Sequence, residues 1–152
     1  MKSLNAGDTL PNLTVTTHRG DTISLSDFRD QSALVLFFYP KSGSPICTKE
    51  ACAFRDAYEG FVEAGATVIG ISGDAGRNQQ QFASQHHLPF LLATDTDGQI
   101  RRVLGVPKSL GIFPGRVTYV VDKRGVIRHI FNSQLDAERH VKEALAILRE
   151  IE

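Results

Sequence analysis

Three apolar stretches of strand length stand out along the chain. They are ALVLFFYP, ended by Pro40, then ATVIGIS at 66–72, and RVTYVVD at 116–122. The first is an uninterrupted apolar run that predicts a strand covered on both faces, as in a sheet with helices on each side, and the second predicts another buried strand. FLLAT at 90–94 predicts a shorter strand, and VIRHIF at 126–131 pairs with RVTYVVD across the turn KRG.

Helical periodicity fills the segments between these strands. Apolar residues recur at spacings of three and four from 47 to 63, which predicts one amphipathic helix that ends near Gly65; they are Ala51, Phe54, Tyr58, Phe61 and Val62. GRNQQQFASQHH predicts a polar helix before Pro89, and DTDGQIRRVLG predicts a turn and a short helix. The closing helix starts near Asp136, and its apolar face carries Val141, Leu145, Leu148 and Ile151.

The first thirty residues predict short strands and a turn. LTVTT and TISL flank HRGDT, which indicates an N-terminal β-hairpin, and LSDFRD reads as a helical turn capped by Ser26. The element order is therefore a βαβ unit, an αβ unit, a second hairpin and a closing helix. We predict an α/β fold with a mixed central sheet flanked by helices, in a single domain spanning residues 1–152.

Charge and composition restrict the class of protein. Seventeen basic and seventeen acidic residues cancel, and no Lys/Arg run is present, so nucleic-acid binding is not expected. No apolar run reaches membrane-spanning length and the N-terminus lacks a secretory h-region, so we expect no membrane contact. The expected location is cytoplasmic, or an organelle if a targeting peptide has been removed. In reducing compartments, two nearby cysteines suggest catalysis or sensing.

Those two cysteines, Cys47 and Cys52, lie at the start of the first long helix. Ser44 followed by Pro45 reads as an N-cap and first helical residue, which puts Cys47 at about the third helical position. The free N–H groups and the dipole of a helix start favour a thiolate there. A buried cysteine that acts as a small hydrophobic residue explains the position equally well, and both interpretations stay open at this point.

The spacing of the two cysteines restricts what they can do together. In a regular helix, Cα atoms five residues apart lie roughly 8–9 Å from each other and their side chains point about 140° apart. A disulfide needs Cα atoms within about 7 Å. Cys47 and Cys52 can therefore bond only if the first turns of the helix unwind.

Metal binding has weaker support in the sequence. Zinc sites use short local spacings among four ligands, which C-x4-C across one helix does not supply. His86 and His87 are adjacent and read as surface residues near a helix end. Asp95 and Asp97 faintly resemble a calcium loop but lack the later acidic ligand, so a turn before the next helix is favoured. We expect no metal and no other cofactor.

The stretch FYPKSGSPICTKEACAFRD closely resembles the peroxiredoxin family, in its bacterioferritin comigratory protein or peroxiredoxin Q subfamily. The similarity extends to AGDTLPNLTV, VIGIS, LLATDTDGQIRRVLGV and PGRVTYVVDKRGVIRHIF, which cover nearly the whole chain in order. This resemblance implies a thioredoxin-like fold, in agreement with the element order above.

The family pattern is a proline, three residues, a threonine or serine, two residues and the peroxidatic cysteine, with an arginine from a later strand. These positions match Pro40, Ser44, Cys47 and Arg116, and Cys52 matches the resolving cysteine. Taken alone, Ser44 reads as a plain N-cap and Arg116 as an exposed strand residue.

The resemblance implies a thiol-dependent peroxidase. The Cys47 thiolate would attack a hydroperoxide and become a sulfenic acid, Cys52 would condense with it to an intramolecular disulfide, and thioredoxin or a similar dithiol would reduce that disulfide. No further cysteine follows the last helix, so a disulfide between subunits is not expected. We also expect a monomer. A thioredoxin-like reductase is disfavoured because no CxxC is present, whereas a non-enzymatic redox sensor would need the same residues and stays an alternative.

Overall fold

The computed structural model describes most of the chain, and its strands agree closely with the apolar pattern. The described residues are 4–39, 45–95, 98–106, 108–109, 113–114, 116–133 and 136–151. The strands are β1 (Thr14–Thr17), β2 (Thr22–Ser24), β3 (Ala33–Phe38), β4 (Ala66–Ser72), β5 (Leu91–Thr94), β6 (Lys108–Ser109), β7 (Phe113–Pro114), β8 (Val117–Val121) and β9 (Ile127–Asn132). The helices are α1 (Pro45–Asp56), α2 (Tyr58–Glu63), α3 (Gly76–Gln85), α4 (Gln99–Leu104) and α5 (Ala137–Glu150).

Seven of these strands form one mixed sheet in the order β2-β1-β5-β4-β3-β8-β9. β3, β4 and β5 are parallel, while β8 is antiparallel to β3 and β9 is antiparallel to β8. The N-terminal hairpin joins this sheet because β1 pairs antiparallel with β5. The predicted mixed sheet and N-terminal hairpin are therefore confirmed. β6 and β7 form a separate two-stranded sheet that the sequence pattern did not predict.

β3 is buried on both faces, as its continuous apolar run predicts. Val35 and Phe37 point into a core with α1, α2, α3 and α5, while Leu36 and Phe38 point into a second core with α4 and the N-terminal segment. All four side chains are fully buried. Two covered faces explain why the strand lacks polar alternation.

The predicted single helix over 47–63 is wrong, because it breaks at Ala57. α1 ends at Asp56 and α2 begins at Tyr58, with Ala57 at φ −98° and ψ 7° between them. Phe61 remains buried against Phe54, whereas Val62 is 54% exposed. Val62 is therefore not on the buried face that the periodicity predicted.

The two predicted helix starts have different outcomes. Leu25–Phe28 form a 3-10 turn whose N-cap position is taken by Ser24, with no side-chain capping bond, so the predicted cap at Ser26 is wrong. Asp136 does cap α5, since its carboxylate accepts a hydrogen bond from the backbone N–H of Arg139.

Among the described residues, no helix has the length and apolar character needed to cross a membrane.

Strand pairing brings together two segments that are far apart in the sequence. Val117 of β8 pairs with Phe38 at the carboxyl end of β3, the edge from which the chain leads to α1. Arg116, which precedes β8, is thereby brought to the start of α1. Carboxyl ends of sheet strands are common places for binding and catalytic groups in α/β proteins.

We expect Gly70→Ala to destabilise the fold, because a Cβ at Gly70 would lie 2.6 Å from Cζ of Phe37 and 2.8 Å from Cδ2 of Leu92. Overpacking of this kind typically costs about 1–3 kcal/mol. Urea unfolding of the two proteins measures the change. Gly76→Ala is the matched control, since its Cβ meets nothing within 4 Å. An equal loss of stability in both variants would contradict the packing explanation.

Candidate active site

Cys47 occupies the third position of α1, as the sequence predicts from Pro45 at the helix start. Its side chain is only 1% exposed. The first turn of α1 contains no acidic residue, so nothing within that turn opposes a negative charge. The free N–H groups of the helix start favour the thiolate. Burial agrees with the interpretation of Cys47 as a small hydrophobic residue. The charged groups around the sulfur are therefore needed to distinguish that interpretation from a reactive thiolate.

Arg116 supplies the positive charge beside this sulfur. One guanidinium nitrogen, Nη1, lies 3.2 Å from Sγ of Cys47 and 3.1 Å from Oε1 of Glu50. The Arg116 residue is 4% exposed, so the expectation from sequence alone of an exposed strand residue is wrong. A buried guanidinium whose nitrogen donates to a cysteine sulfur is not an arrangement that a purely hydrophobic cysteine requires.

Glu50 is a member of the site that the sequence interpretation missed. It lies three residues after Cys47, so both side chains project from the same face of α1, and it is fully buried. A glutamate in the first half of an amphipathic helix normally reads as a solvent-exposed residue. The available signal was its i, i+3 spacing from Cys47 and its i, i+4 spacing from Phe54, which put it on the buried face.

His140 of α5 is the second missed member. It is fully buried, and its Nε2 lies 2.8 Å from the carbonyl oxygen of Ser133. Its Nδ1 lies 2.7 Å from Oγ1 of Thr118 and 3.5 Å from Oε2 of Glu50. A continuous buried network therefore runs from Cys47 through Arg116 and Glu50 to His140.

Burial changes the protonation of both acid and base in this network. Burial raises the pKa of Glu50 to about 8, although the charge and hydrogen bond of Arg116 oppose the rise. Burial also lowers the pKa of His140, assisted by the charge of Arg116 and opposed by the Ser133 hydrogen bond and by Asp136. Both shifts favour neutral forms.

A second arginine, Arg101 of α4, lies on the other side of the β3 end. Its Nη2 donates to the carbonyl oxygen of Tyr39 at 2.9 Å, and its guanidinium carbon lies 5.3 Å from the ring centroid of Phe38. Burial lowers the pKa of Arg101, while the charges of Asp95 and Cys47 oppose that shift. Sequence interpretation missed this residue because its helix carried no catalytic signal.

Cys52 lies on the same helix as Cys47 but off the buried face. Its side chain is half-buried, and the two cysteines are not joined by a disulfide. α1 is continuous from Pro45 to Asp56, so the two thiols are held apart by helix geometry as the spacing predicts. Two other predicted site residues, Pro40 and Ser44, lie outside the described residues.

A metal ion needs several His, Cys, Asp or Glu side chains close together. Within the described part of the chain, no three His, Cys, Asp or Glu side chains are grouped so that they could hold one. Asp95 instead accepts hydrogen bonds from the backbone N–H groups of Ile100 and Arg101 at the start of α4, as expected for a turn before a helix. The absence of a metal or cofactor stays a prediction.

Comparison with known proteins identifies the family. The AhpC/TSA family pattern matches residues 6–130. The chloroplastic peroxiredoxin Q of Triticum aestivum is 46% identical over 149 residues, which are 97% of this chain and 68% of that protein. The chain belongs to the AhpC/TSA family. The resemblance to peroxiredoxin Q seen in the sequence is thereby confirmed.

Solved structures of family members share the fold. Peroxidoxin BcpB from Mycobacterium tuberculosis is 35% identical, with a TM-score of 0.89 and 97% of each chain covered. A cysteine-to-serine mutant of PrxQ from Xylella fastidiosa is 25% identical, with a TM-score of 0.90 and 99% of each chain covered. The thioredoxin-like fold is confirmed. The wheat relative is a chloroplast protein, so the comparisons do not support the expected cytoplasmic location.

Glu50→Gln is expected to change how stability depends on pH. In the unfolded chain Glu50 ionises near its ordinary pKa of 4.5, whereas in the folded protein its pKa is about 8. Between these values the folded state holds a proton that the unfolded state has lost, so the contribution of Glu50 to stability falls as pH rises.

The loss is on the order of 1.4 kcal/mol for each pH unit within that window. Urea unfolding at several pH values should show that the free energy of unfolding of Glu50→Gln increases, relative to that of the unmodified protein, as pH rises. Parallel curves for the two proteins would contradict a raised pKa for Glu50. Glu59→Gln, at an exposed position of α2, is the matched control and should leave the curve unchanged.

Proposed function

We propose that this chain is a thiol-dependent peroxidase that reduces hydrogen peroxide and organic hydroperoxides at Cys47. The observation that carries the proposal is the 3.2 Å contact between Sγ of Cys47 and Nη1 of Arg116 in a buried position at the start of α1. Membership of the AhpC/TSA family and identity to peroxiredoxin Q support the same chemistry.

The first step is attack of the Cys47 thiolate on the terminal oxygen of a hydroperoxide. An S–O bond forms, the O–O bond breaks, and the leaving oxygen takes a proton to become water or an alcohol. The sulfur is oxidised to a sulfenic acid as the peroxide is reduced. Negative charge moves from sulfur to the leaving oxygen, so a fixed cation beside both positions stabilises the transition state, and Arg116 is suited to this role. The hydroxyl of Ser44 and the ring of Pro40 are proposed to complete the site as a donor and a shield from water.

The second step forms a disulfide within the chain. The Cys52 thiolate attacks the sulfenic sulfur, the S–S bond forms, and the S–O bond breaks with release of hydroxide, which becomes water on protonation. Thioredoxin or a similar dithiol then reduces the disulfide and is itself oxidised. A cytoplasmic location and a monomeric state stay predictions, with an organelle as the alternative compartment.

Unwinding of α1 is required between these two steps. The buried rings of Phe54 and Phe37 stack at 4.4 Å, and Arg55 donates to the carbonyl oxygen of His86 at 2.8 Å, so both contacts hold the C-terminal half of α1. The preceding residues of α1, 45–53, include no aromatic side chain that could stack in this way. We therefore propose that the helix opens between Cys47 and Ala53 and that the segment from Phe54 onward stays docked.

Substitution of each cysteine tests the proposed roles. Cys47→Ser should abolish peroxide-dependent oxidation of thioredoxin. Cys52→Ser should consume one equivalent of peroxide without sustained turnover and leave a sulfenic acid that dimedone traps. Stopped-flow assays with hydrogen peroxide and cumene hydroperoxide measure both variants.

Two outcomes would contradict this assignment. Turnover with thioredoxin in both cysteine variants would refute the assigned roles, and an intermolecular disulfide on a non-reducing gel of the oxidised protein would refute the intrachain scheme. Slow oxidation of the unmodified protein without catalytic turnover would instead support the alternative of a redox sensor.

Hydrogen exchange tests the proposed unwinding. Peroxide-oxidised protein should lose amide protection at residues 48–53, because the disulfide cannot form while those residues are helical. α5 serves as the internal control and should keep its protection. Equal protection of residues 48–53 before and after oxidation would exclude local unwinding as the route to the disulfide.

A further inference from the structure

The carboxylate of Glu50 has one oxygen paired and one oxygen without a donor. Oε1 accepts a hydrogen bond from Nη1 of Arg116 at 3.1 Å. Oε2 is buried and has no hydrogen-bond partner among the described residues, and it lies 3.5 Å from Nδ1 of His140. A buried oxygen of an ionised carboxylate without a donor is costly, so this position requires a proton on one of the two atoms.

His140 has one nitrogen whose proton is already assigned. Nε2 faces the carbonyl oxygen of Ser133 at 2.8 Å, and since a carbonyl can only accept, Nε2 carries a hydrogen. The second ring nitrogen, Nδ1, is therefore the position that is bare in neutral histidine and protonated in the cation. The hydroxyl of Thr118, 2.7 Å away, can donate to a bare Nδ1 or accept from a protonated one.

Counting protons on Glu50 and His140 leaves one favourable state. If neither Oε2 nor Nδ1 carries a proton, the buried carboxylate lies opposite the lone pair of the ring nitrogen, which is unfavourable. With two protons, an imidazolium cation is buried close to the Arg116 guanidinium, whose charge already lowers the pKa of His140. With one proton the two residues together are neutral, in keeping with burial raising the pKa of Glu50.

We propose that Glu50 and His140 share one proton between Oε2 and Nδ1, and that this neutral pair leaves the charge of Arg116 available to the Cys47 thiolate. Both are positioning residues, since they act on the sulfur through Arg116. The consequence for catalysis rests on the proposed peroxidase function, whereas the proton count rests on the buried geometry alone.

The neutrality of the pair matters because Cys47 and Glu50 contact the same nitrogen. Their Sγ and Oε1 atoms lie at most about 6 Å apart, since each is within hydrogen-bond distance of Nη1. At an effective dielectric constant of about 20, a full negative charge at that distance would raise the titration midpoint of a thiolate by about two pH units. A shared proton removes that penalty.

Other charged groups face the pair from the surrounding elements. Arg116 contacts Glu50 directly and contacts Cys47 through the same nitrogen, and the charge of Asp136 at the start of α5 acts on His140. A further pair, His129 of β9 with Glu143 of α5, is partly exposed and joined at 3.2 Å. Substitution of His129 therefore offers a matched control for a histidine at the same helix–strand interface.

Titration of the Cys47 thiolate tests the proposal without any peroxide. The full chain carrying Cys52→Ser has Cys47 as its single thiol, so the ultraviolet absorbance of the thiolate and the rate of alkylation by iodoacetamide both report on Cys47. Circular dichroism and urea unfolding establish that each variant is folded before its midpoint is compared.

Glu50→Gln is the first variant. A glutamine replaces the neutral, protonated form of Glu50 with nearly the same shape, so the thiolate midpoint should move by less than about half a pH unit. A fall of about two pH units would mean that Glu50 is an anion beside the thiolate, and that result would overturn the proposal.

His140→Gln is the second variant. Glutamine keeps an amide donor for Ser133 but offers no basic nitrogen, so Glu50 should ionise at lower pH and the thiolate midpoint should rise by about one pH unit or more. The same substitution in a Glu50→Gln background should have no effect, because no carboxylate remains to ionise. His129→Gln should leave the midpoint unchanged.

The combined variants separate proton sharing from simple packing. A folded His140→Gln protein with an unchanged midpoint would overturn the proposal, as would a shift of equal size in the Glu50→Gln background. Should His140→Gln not fold, the Glu50→Gln titration decides by itself. Absence of peroxidase turnover in the unmodified chain would refute the proposed function but leave the titration result intact.

Discussion

The buried guanidinium of Arg116 is the interaction on which the site depends. It is almost fully removed from water and has two acceptors on one face of α1, the sulfur of Cys47 and the carboxyl group of Glu50. Removing a partner from a buried charge costs several kcal/mol, so this contact fixes the start of α1 against the start of β8. The same contact sets the electrostatic environment of the sulfur.

The proposed reaction requires α1 to be intact at one step and partly unwound at the next. Its buried face presents Cys47 and Glu50 to Arg116 and packs Phe54 into the aromatic core, which requires an intact helix. The proposed disulfide requires the first half of that helix to open. These demands are compatible because the strongest apolar anchor of the helix, Phe54, comes after Cys52. In the proposed mechanism, oxidation of Cys47 would also remove the negative charge beside Arg116, which would weaken the hold on the first turns at the step where they must open.

The elements best predicted from sequence are those whose apolar pattern has one structural solution. β3 and β4 follow directly from apolar runs that must be covered on both faces, and the start of α1 follows from Pro45. The break at Ala57 was not predictable from periodicity, because two short helices preserve nearly the same spacing of apolar residues as one long helix.

The residues of the site likewise divide into those that the sequence predicted and those that it did not. Cys47 and Arg116 carried a family motif, whereas Glu50 had no such signal, and its partner Arg116 is 66 positions away in sequence.

The sequence by itself therefore determined the mixed sheet, the helix that carries both cysteines, and the separation of their side chains, since local periodicity and helix geometry control all three. Only the tertiary structure decided that Arg116 is buried, that Glu50 faces inward, and that His140 lies behind it. Those facts depend on strand order and on the packing of α5 against α1 and β8. A side chain's charge state inside a protein depends on which groups surround it in space, and neighbours along the chain do not specify those groups.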